Sequence, residues 1–388
     1  MPENIGARIR HLRGERSQAW LAREVCKAAG VCGDPVTRKE VSRWELGKRV
    51  PREWLSCIAA ALDVPVRQLR EDGHDRVPLL RLNETRGSEY VQAIREASQR
   101  LIFLDNELTG MPVAEVAART FKSVHKRLGD GDYDSTYERD IRAAASELAE
   151  VAGWVLFDAE QHDAARRFNR EALFLARLSG DRSIELLILQ NMAMHAGWLG
   201  RHREELAVAR SVIEQDRMSP RVEAIFRMRE ARGLAGCGAL AEASRTFEKA
   251  HSLLECDGKA DDPAWSWWIM PNEIDGHHGH ALQTAGDHTG AVRFLQLSAE
   301  RQGGPVVGHR GMAPARLLDC LLHLHAWRDA EELALGIVPT VGETASARTL
   351  RLLDETVQNG LGSAQAPARI RDALKHLNDV MHADPYAL

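Results

Sequence analysis

Five short turn-like segments recur along the chain at nearly even intervals, and this period constrains the fold more than any other feature. They are EQHDAA (160–165), GRHREE (200–205), GALAEA (238–243), GDHTGA (286–291) and HAWRDA (325–330). Their last residues lie 40, 38, 48 and 39 positions apart, and each segment separates two apolar stretches of helical periodicity. A period near 40 built from helix pairs predicts an α-solenoid, because one pair cannot bury its apolar face alone and must stack on the next. The pattern A-x3-F-x2-A stands at Ala243, Phe247 and Ala250. It is degraded at Ala291, Leu295, Ser298 and at Ala330, Ala334, Ile337. Small residues there let two helices approach closely while the larger one fills the groove between them.

The remainder of the chain has a different character. Residues 1–76 carry 15 Lys/Arg against 11 Asp/Glu, a net charge of +4, and the other 312 residues carry −9. A small basic head on a larger acidic body suits a polyanion-binding module joined to something else. With 28% charged and 44% hydrophobic residues, the 388-residue chain is neither collagen-like nor wholly disordered. No apolar run approaches the ~18 residues that span a bilayer. The opening MPENIGARIRHLRGERSQ lacks an apolar stretch of signal-peptide length, so a cytoplasmic rather than secreted product is expected. The six cysteines, Cys26, Cys32, Cys57, Cys237, Cys256 and Cys320, are scattered without a C-x2-C pair and read as reduced thiols.

Within the head the pattern predicts five short helices over 5–69. Ile5, Ile9 and Leu12 share one face of the first, which stops near Gly14. Ser17 caps a second with Leu21, Ala22 and Val25 inward, and Thr37 caps a third, TRKEVSRWEL. Pro51 precedes a fourth with Leu55, Ile58 and Leu62 inward, and a fifth contains Val66 and Leu69. In the third helix Thr37, Val41 and Trp44 line one side, while Arg38, Lys39, Ser42 and Arg43 lie away from it. A short helix with an apolar anchor and a basic outer face can enter a major groove, with Arg and Lys on guanine edges and Ser and Arg on phosphates. A merely solvated basic face is the plainer alternative.

The segments SQAWLA (17–22), TRKEVSRWELGKRVP (37–51) and LSCIAAALDVP (55–65) resemble the helix-turn-helix of the XRE/Cro/C1 repressor family. The most specific part is VSRWELGKRVP, and actinobacterial members share a TR-x-x-VSRWE-x-G-x-R-x-P core. The resemblance implies a lambda-repressor-like domain over 1–70 that binds an operator in double-stranded DNA. By it, the Gln18 amide contacts a phosphate, and Arg38, Lys39 and Ser42 on the recognition helix face bases. Arg43 clamps the backbone, and Glu45 fixes the following turn. Thr37, Lys48 and Arg49 complete the DNA-facing set. One departure is the long link KAAGVCGDPV (27–36) in place of a tight turn.

The repeats resemble tetratricopeptide repeats over roughly 140–360, with a longer period than usual, and SELAEVAGWVLFDAEQHDAARRF (146–168) looks like a first repeat of actinobacterial regulators of this kind. The expected architecture is therefore all-α: head, linker (71–87), connecting helices (88–135) and a helical repeat domain (136–388) whose terminal helix over 368–381 either closes the stack or joins a dimer. Such a stack has an inner wall suited to a peptide, a small ligand or a protein segment. Candidate wall residues are Trp154, Asp158, Asn191, His195, Trp198, Arg229, Arg232, Trp268, Asn272, Asp275 and His278. Packing within the repeats is the plainer role for each. WSWW (265–268) falls in the 48-residue interval and reads either as a ligand contact or as a plug between repeats.

Enzymatic readings find little support. HHGH (277–280) invites a metal, but no H-E-x-x-H or partner carboxylate motif accompanies His277, His278 and His280. No P-loop and no G-x-S-x-G occurs. No cofactor is implied. The expectation is a transcriptional regulator, homodimeric through its repeats, on half-sites about one helical turn apart. Sensing of short peptides by regulators with this domain order is analogy only. The rivals are an interaction scaffold whose head docks protein and, less strongly, a His-rich metal enzyme.

Overall fold

A computed structural model describes residues 5–29, 35–46, 51, 54–64, 69, 82, 85–107, 111–215, 217–255, 262–300, 311–342 and 346–383. Every regular element among them is helical. The head contains α1 (Ile5–Arg13), α2 (Gln18–Ala28), α3 (Arg38–Glu45) and α4 (Leu55–Leu62). Ile9, Leu21, Val25, Val41, Trp44, Ile58 and Leu62 bury together with Trp54 and Leu69. Apart from Leu69, the fifth expected helix lies outside the described residues, as do 30–34 of the long link, Lys48, Arg49 and most of the linker.

The helices that follow come in pairs: α5 (Gly87–Glu107) with α6 (Met111–Asp130), α7 (Glu138–Asp158) with α8 (His162–Ser179), and α9 (Arg182–Trp198) with α10 (His202–Gln215). Next come α11 (Pro220–Gly236) with α12 (Leu240–Glu255) and α13 (Pro271–Thr284) with α14 (His288–Glu300). Last are α15 (Met312–His323) with α16 (Trp327–Val341) and α17 (Ala347–Gly362) with α18 (Ala368–Met381). The first helices of successive pairs pack on one another from α5 to α17, which makes the stack a solenoid. Helix α18 packs on α16 and α17 and covers the end of the stack.

The five predicted turns share one piece of chemistry. Glu160, Gly200, Gly238, Gly286 and His325 adopt left-handed backbone at φ 58, 69, 86, 83 and 56°. The next N–H reaches back five residues each time: Gln161 to Leu156, Arg201 to Ala196, Ala239 to Leu234, Asp287 to Leu282 and Ala326 to Leu321, at 2.8–2.9 Å. This satisfies an orphan carbonyl at each helix end and turns the chain into the second helix of the pair. The same bond closes the helix ends at Asp181, to Ala176, and at Asp132, to Arg127, outside the five turns. Close helix approach has its own marker. A Cβ on Gly233 would lie 2.8 Å from the backbone nitrogen of Leu206, so only glycine lets α10 and α11 meet there.

One expectation changes, and one open alternative is decided toward packing. The helices over 88–135 are not mere connectors: Tyr90, Ile94 and Leu101 of α5 and Val113, Phe121 and Val124 of α6 share one core with Ile141, Leu148 and Val155 of α7. Their pair lacks the recurring turn segment, which is why the repeat pattern begins one pair late. WSWW forms a 3-10 turn (Ala264–Trp268) whose Trp265 is buried and donates its indole N–H to Ser183 Oγ at 3.0 Å. Trp268 is half-buried and packs against both the head core and the core spanning α9–α13.

Candidate DNA interface and solenoid wall

Helix α3 begins at Thr37, whose Oγ1 accepts from the Glu40 N–H at 3.4 Å. Its inner side is fixed by Val41, with no exposed surface, and Trp44, with 2%. That anchoring turns Arg38, Lys39 and Arg43 outward, all exposed, with Ser42 half-buried beside them. Arg43 pairs with Glu40 at 2.6 Å along the same helix, which holds the guanidinium near the surface. Glu40 is itself buried, so this pair ties Arg43 to the head, while Arg38 and Lys39 stay exposed.

Glu45 does more than the expected fixing of the next turn. Its carboxylate accepts from Arg13 Nε at 2.6 Å and from Gln18 Nε2 at 2.7 Å. One side chain therefore ties α1 and α2 to the end of α3. Gln18 is thereby placed at the start of α2 with one amide hydrogen already directed to Glu45. This inward tie is invisible to motif reading, since its partners lie 32 and 27 residues away.

In the repeats the candidate wall residues form three groups. The first surrounds Arg348, at the start of α17, which is buried with 5% exposure. Its guanidinium lies 4.1 Å from the Phe157 ring centre and 5.3 Å from those of Trp154 and Trp198. Asp158 completes the cage. It accepts from Arg348 Nε at 2.9 Å, from Ser346 Oγ at 2.9 Å and from the Ala347 N–H at 3.2 Å. Its partners lie 188 to 190 residues along the chain, so the stack curls until its second pair meets its last. His195 is buried beneath this cage and hydrogen-bonds His162 at 3.2 Å. Burial first, then His162, pulls His195 down to about 4. Asp105 of α5 also belongs here: burial first, then the Asp158 charge, pushes it up to about 7. Trp154, Asp158, His195 and Trp198 thus meet an arginine of their own chain.

The second group is a chain of buried polar contacts. Asn191 donates to Glu150 at 3.0 Å and accepts from Gln190, which in turn accepts from Arg229 Nη2 at 3.1 Å. Arg229 is 1% exposed, and its Nε and Nη1 have no hydrogen-bond partner. Arg232 meets His277 at 3.1 Å and Glu205 at 3.5 Å. Further on, Arg316 of α15 donates to Gln283 at 3.1 Å. Burial first, then the charge of Arg232, draws both Arg229 and Arg316 down to about 9. Burial and the same Arg316 and Arg232 charges hold His280 well below the ordinary imidazole value. Carboxylates match these cations: Glu150 and Glu205 stand in the row, and the charges of Glu273 and Asp319 act on Arg229 and Arg316.

The third group faces α12 rather than the wall. Asp275 pairs with His251 at 3.0 Å. His278 is stacked between Phe247 and Phe294, with ring centres 4.5 and 3.9 Å away. Asn272 stands half-buried in the first turn of α13. The HHGH run therefore splits: His277 goes to Arg232, His278 to the aromatic stack, and His280 toward Arg316.

No family model matches the chain, and no curated protein does. Among 37 matching solved chains is the crystal structure of Bacillus thuringiensis PlcR in complex with the peptide PapR7 and DNA. It is 13% identical, with 93% of this chain and 100% of that chain covered, at a TM-score of 0.32. An overlap of that size fixes neither curvature nor site correspondence. No described helix is long and apolar enough to cross a membrane.

Proposed function

We propose that the protein is a cytoplasmic, sequence-specific DNA-binding transcriptional regulator of the XRE type. Its head, in this reading residues 1–70, reads an operator, and its repeats sense a ligand and pair two copies. The observation that carries this reading is the division of α3: Val41 and Trp44 are anchored inward, while Arg38, Lys39 and Arg43 stand free of the core on the opposite side. That is the arrangement a groove-entering helix needs. Arg229 keeps two buried guanidinium donors, Nε and Nη1, without a hydrogen-bond partner, which favours a ligand with an acidic group, such as a peptide carboxylate. Trp268 touches both the head core and the repeat core, so a ligand that reshapes the repeats has a side chain through which to bias the head. Phe174 and Leu178, one turn apart on α8 and 56% and 45% exposed, supply an apolar surface for pairing.

The test replaces Arg38, Lys39 and Arg43 together by alanine. Each base contact is worth about 1–3 kcal/mol, so affinity for a fragment selected from random-sequence duplexes should fall at least ~100-fold. Light scattering should show the oligomer unchanged. Undiminished DNA binding by this variant would reject α3 as the reading helix and favour the scaffold alternative.

A further inference from the structure

The turn between α13 and α14 brings a cluster of metal-ligating side chains against α15 that no sequence motif announced. His288 opens α14, and Asp319 and Cys320 are adjacent on α15. One ligand atom from each, imidazole nitrogen, carboxylate oxygen and thiol sulfur, lies within 4.8 Å of the others. Cys320 has no exposed surface. Nδ1 of His288 is out of contact with water and has no hydrogen-bond partner, an arrangement that costs stability unless something fills it.

The surroundings hold these donors in place. Gln283 donates to Asp319 Oδ2 at 2.6 Å and is itself held by Arg316 at 3.1 Å, which orients the carboxylate from behind. The ring of His323 stacks on that of His288 at 4.4 Å, and its Nδ1 lies 3.4 Å from Asp319 Oδ1. A mixed nitrogen, oxygen and sulfur set suits a borderline-soft divalent ion. Ligand atoms about 2.0–2.3 Å from such an ion stand about 3.3–3.8 Å apart, so the cluster needs only a modest contraction.

We propose that His288, Asp319 and Cys320 bind one divalent transition-metal ion of the zinc class. The fourth position is left to water or to the exposed ring of His323. On binding, the Cys320 S–H bond breaks, a sulfur–metal bond forms, and the proton passes to solvent; no electron is transferred. The ion would join α14 to α15 and fix the angle between two neighbouring pairs of the stack.

The full-length protein, stripped with chelator and desalted, is titrated with Co(II) and then Zn(II). One Co(II) per chain should give a thiolate-to-metal charge-transfer band in the near ultraviolet with tetrahedral visible bands, and one Zn(II) should bleach both. Cys320→Ser should abolish the charge-transfer band. His288→Gln should weaken Co(II) binding at least tenfold, and it keeps the test decisive if the serine variant does not fold. Cys237→Ser and His277→Ala, at an exposed thiol and at the HHGH run, should leave the titration unchanged. A titration without the band, or a band that survives Cys320→Ser, overturns the proposal.

Discussion

The head and the repeats use the same cationic side chains in opposite ways. In α3, Arg38, Lys39 and Arg43 stand in water, with one short ion pair among them. In the repeats, Arg348 is 5% exposed and is held by Asp158 from another pair of helices. An exposed arginine costs the fold almost nothing and is available to a polyanion. A buried one carries a desolvation cost of several kcal/mol that only well-placed partners offset. The contrast teaches that position in the fold, not residue type, decides whether a cation recognises something outside or holds the architecture from within.

The largest effect is expected where that contrast is sharpest. Asp158→Ala strands Arg348 in its aromatic cage and should lower stability by about 3–5 kcal/mol in denaturant melts. The double variant Asp158→Leu, Arg348→Met should recover most of that loss. If the single variant melts like the parent, the cage is not a seam that holds the stack closed.

The neighbouring Asp105 sharpens the comparison through pH. Its folded value of about 7, against an ordinary 3.8, means the folded chain keeps a proton that the unfolded chain releases. Stability should therefore fall as pH rises between those values. Asp105→Asn should raise stability at pH 8 by about 2–4 kcal/mol, with much less gain at pH 5. Melts of parent and variant at both pH values check the sign.

Gly233→Ala presses a methyl group onto the backbone of Leu206 and should cost about 1–3 kcal/mol. His325→Gly relieves left-handed backbone at the fifth turn and should gain about 1 kcal/mol. Thermal melts read both. The smallest shift belongs to the head: alanine at Arg38 or at Lys39 should each change stability by less than about 0.5 kcal/mol.

What the sequence revealed, and what it hid, follows the same division between local and distant. The five turns were legible because similar short segments recur at them within a few residues, whereas the same closing bond at Asp181 has no such segment around it. The anchored face of α3 was legible for the same reason, since Val41 and Trp44 lie within one helix. The membership of α5 and α6 in the stack was not, because it rests on apolar contacts to α7 with no turn signature to mark them. Glu45 could be read as a helix-ending residue but not as a tie to Arg13 and Gln18. The wall candidates fall into three separate groups, and Arg348, the partner of the first, was missed because nothing local links it to Trp154 or Asp158. His288 and Cys320 were read separately, one in a turn and the other as a buried thiol, and only the packing of α14 on α15 makes them neighbours.

The meeting of Asp158 with Arg348 has a mechanical consequence. An open array of helix pairs behaves like a spring, whose free end moves when any joint rotates, and it can fray from that end inward. Fastening the end back near the beginning removes that freedom. A twist at one joint must then be shared by all the others or released at the fastening itself.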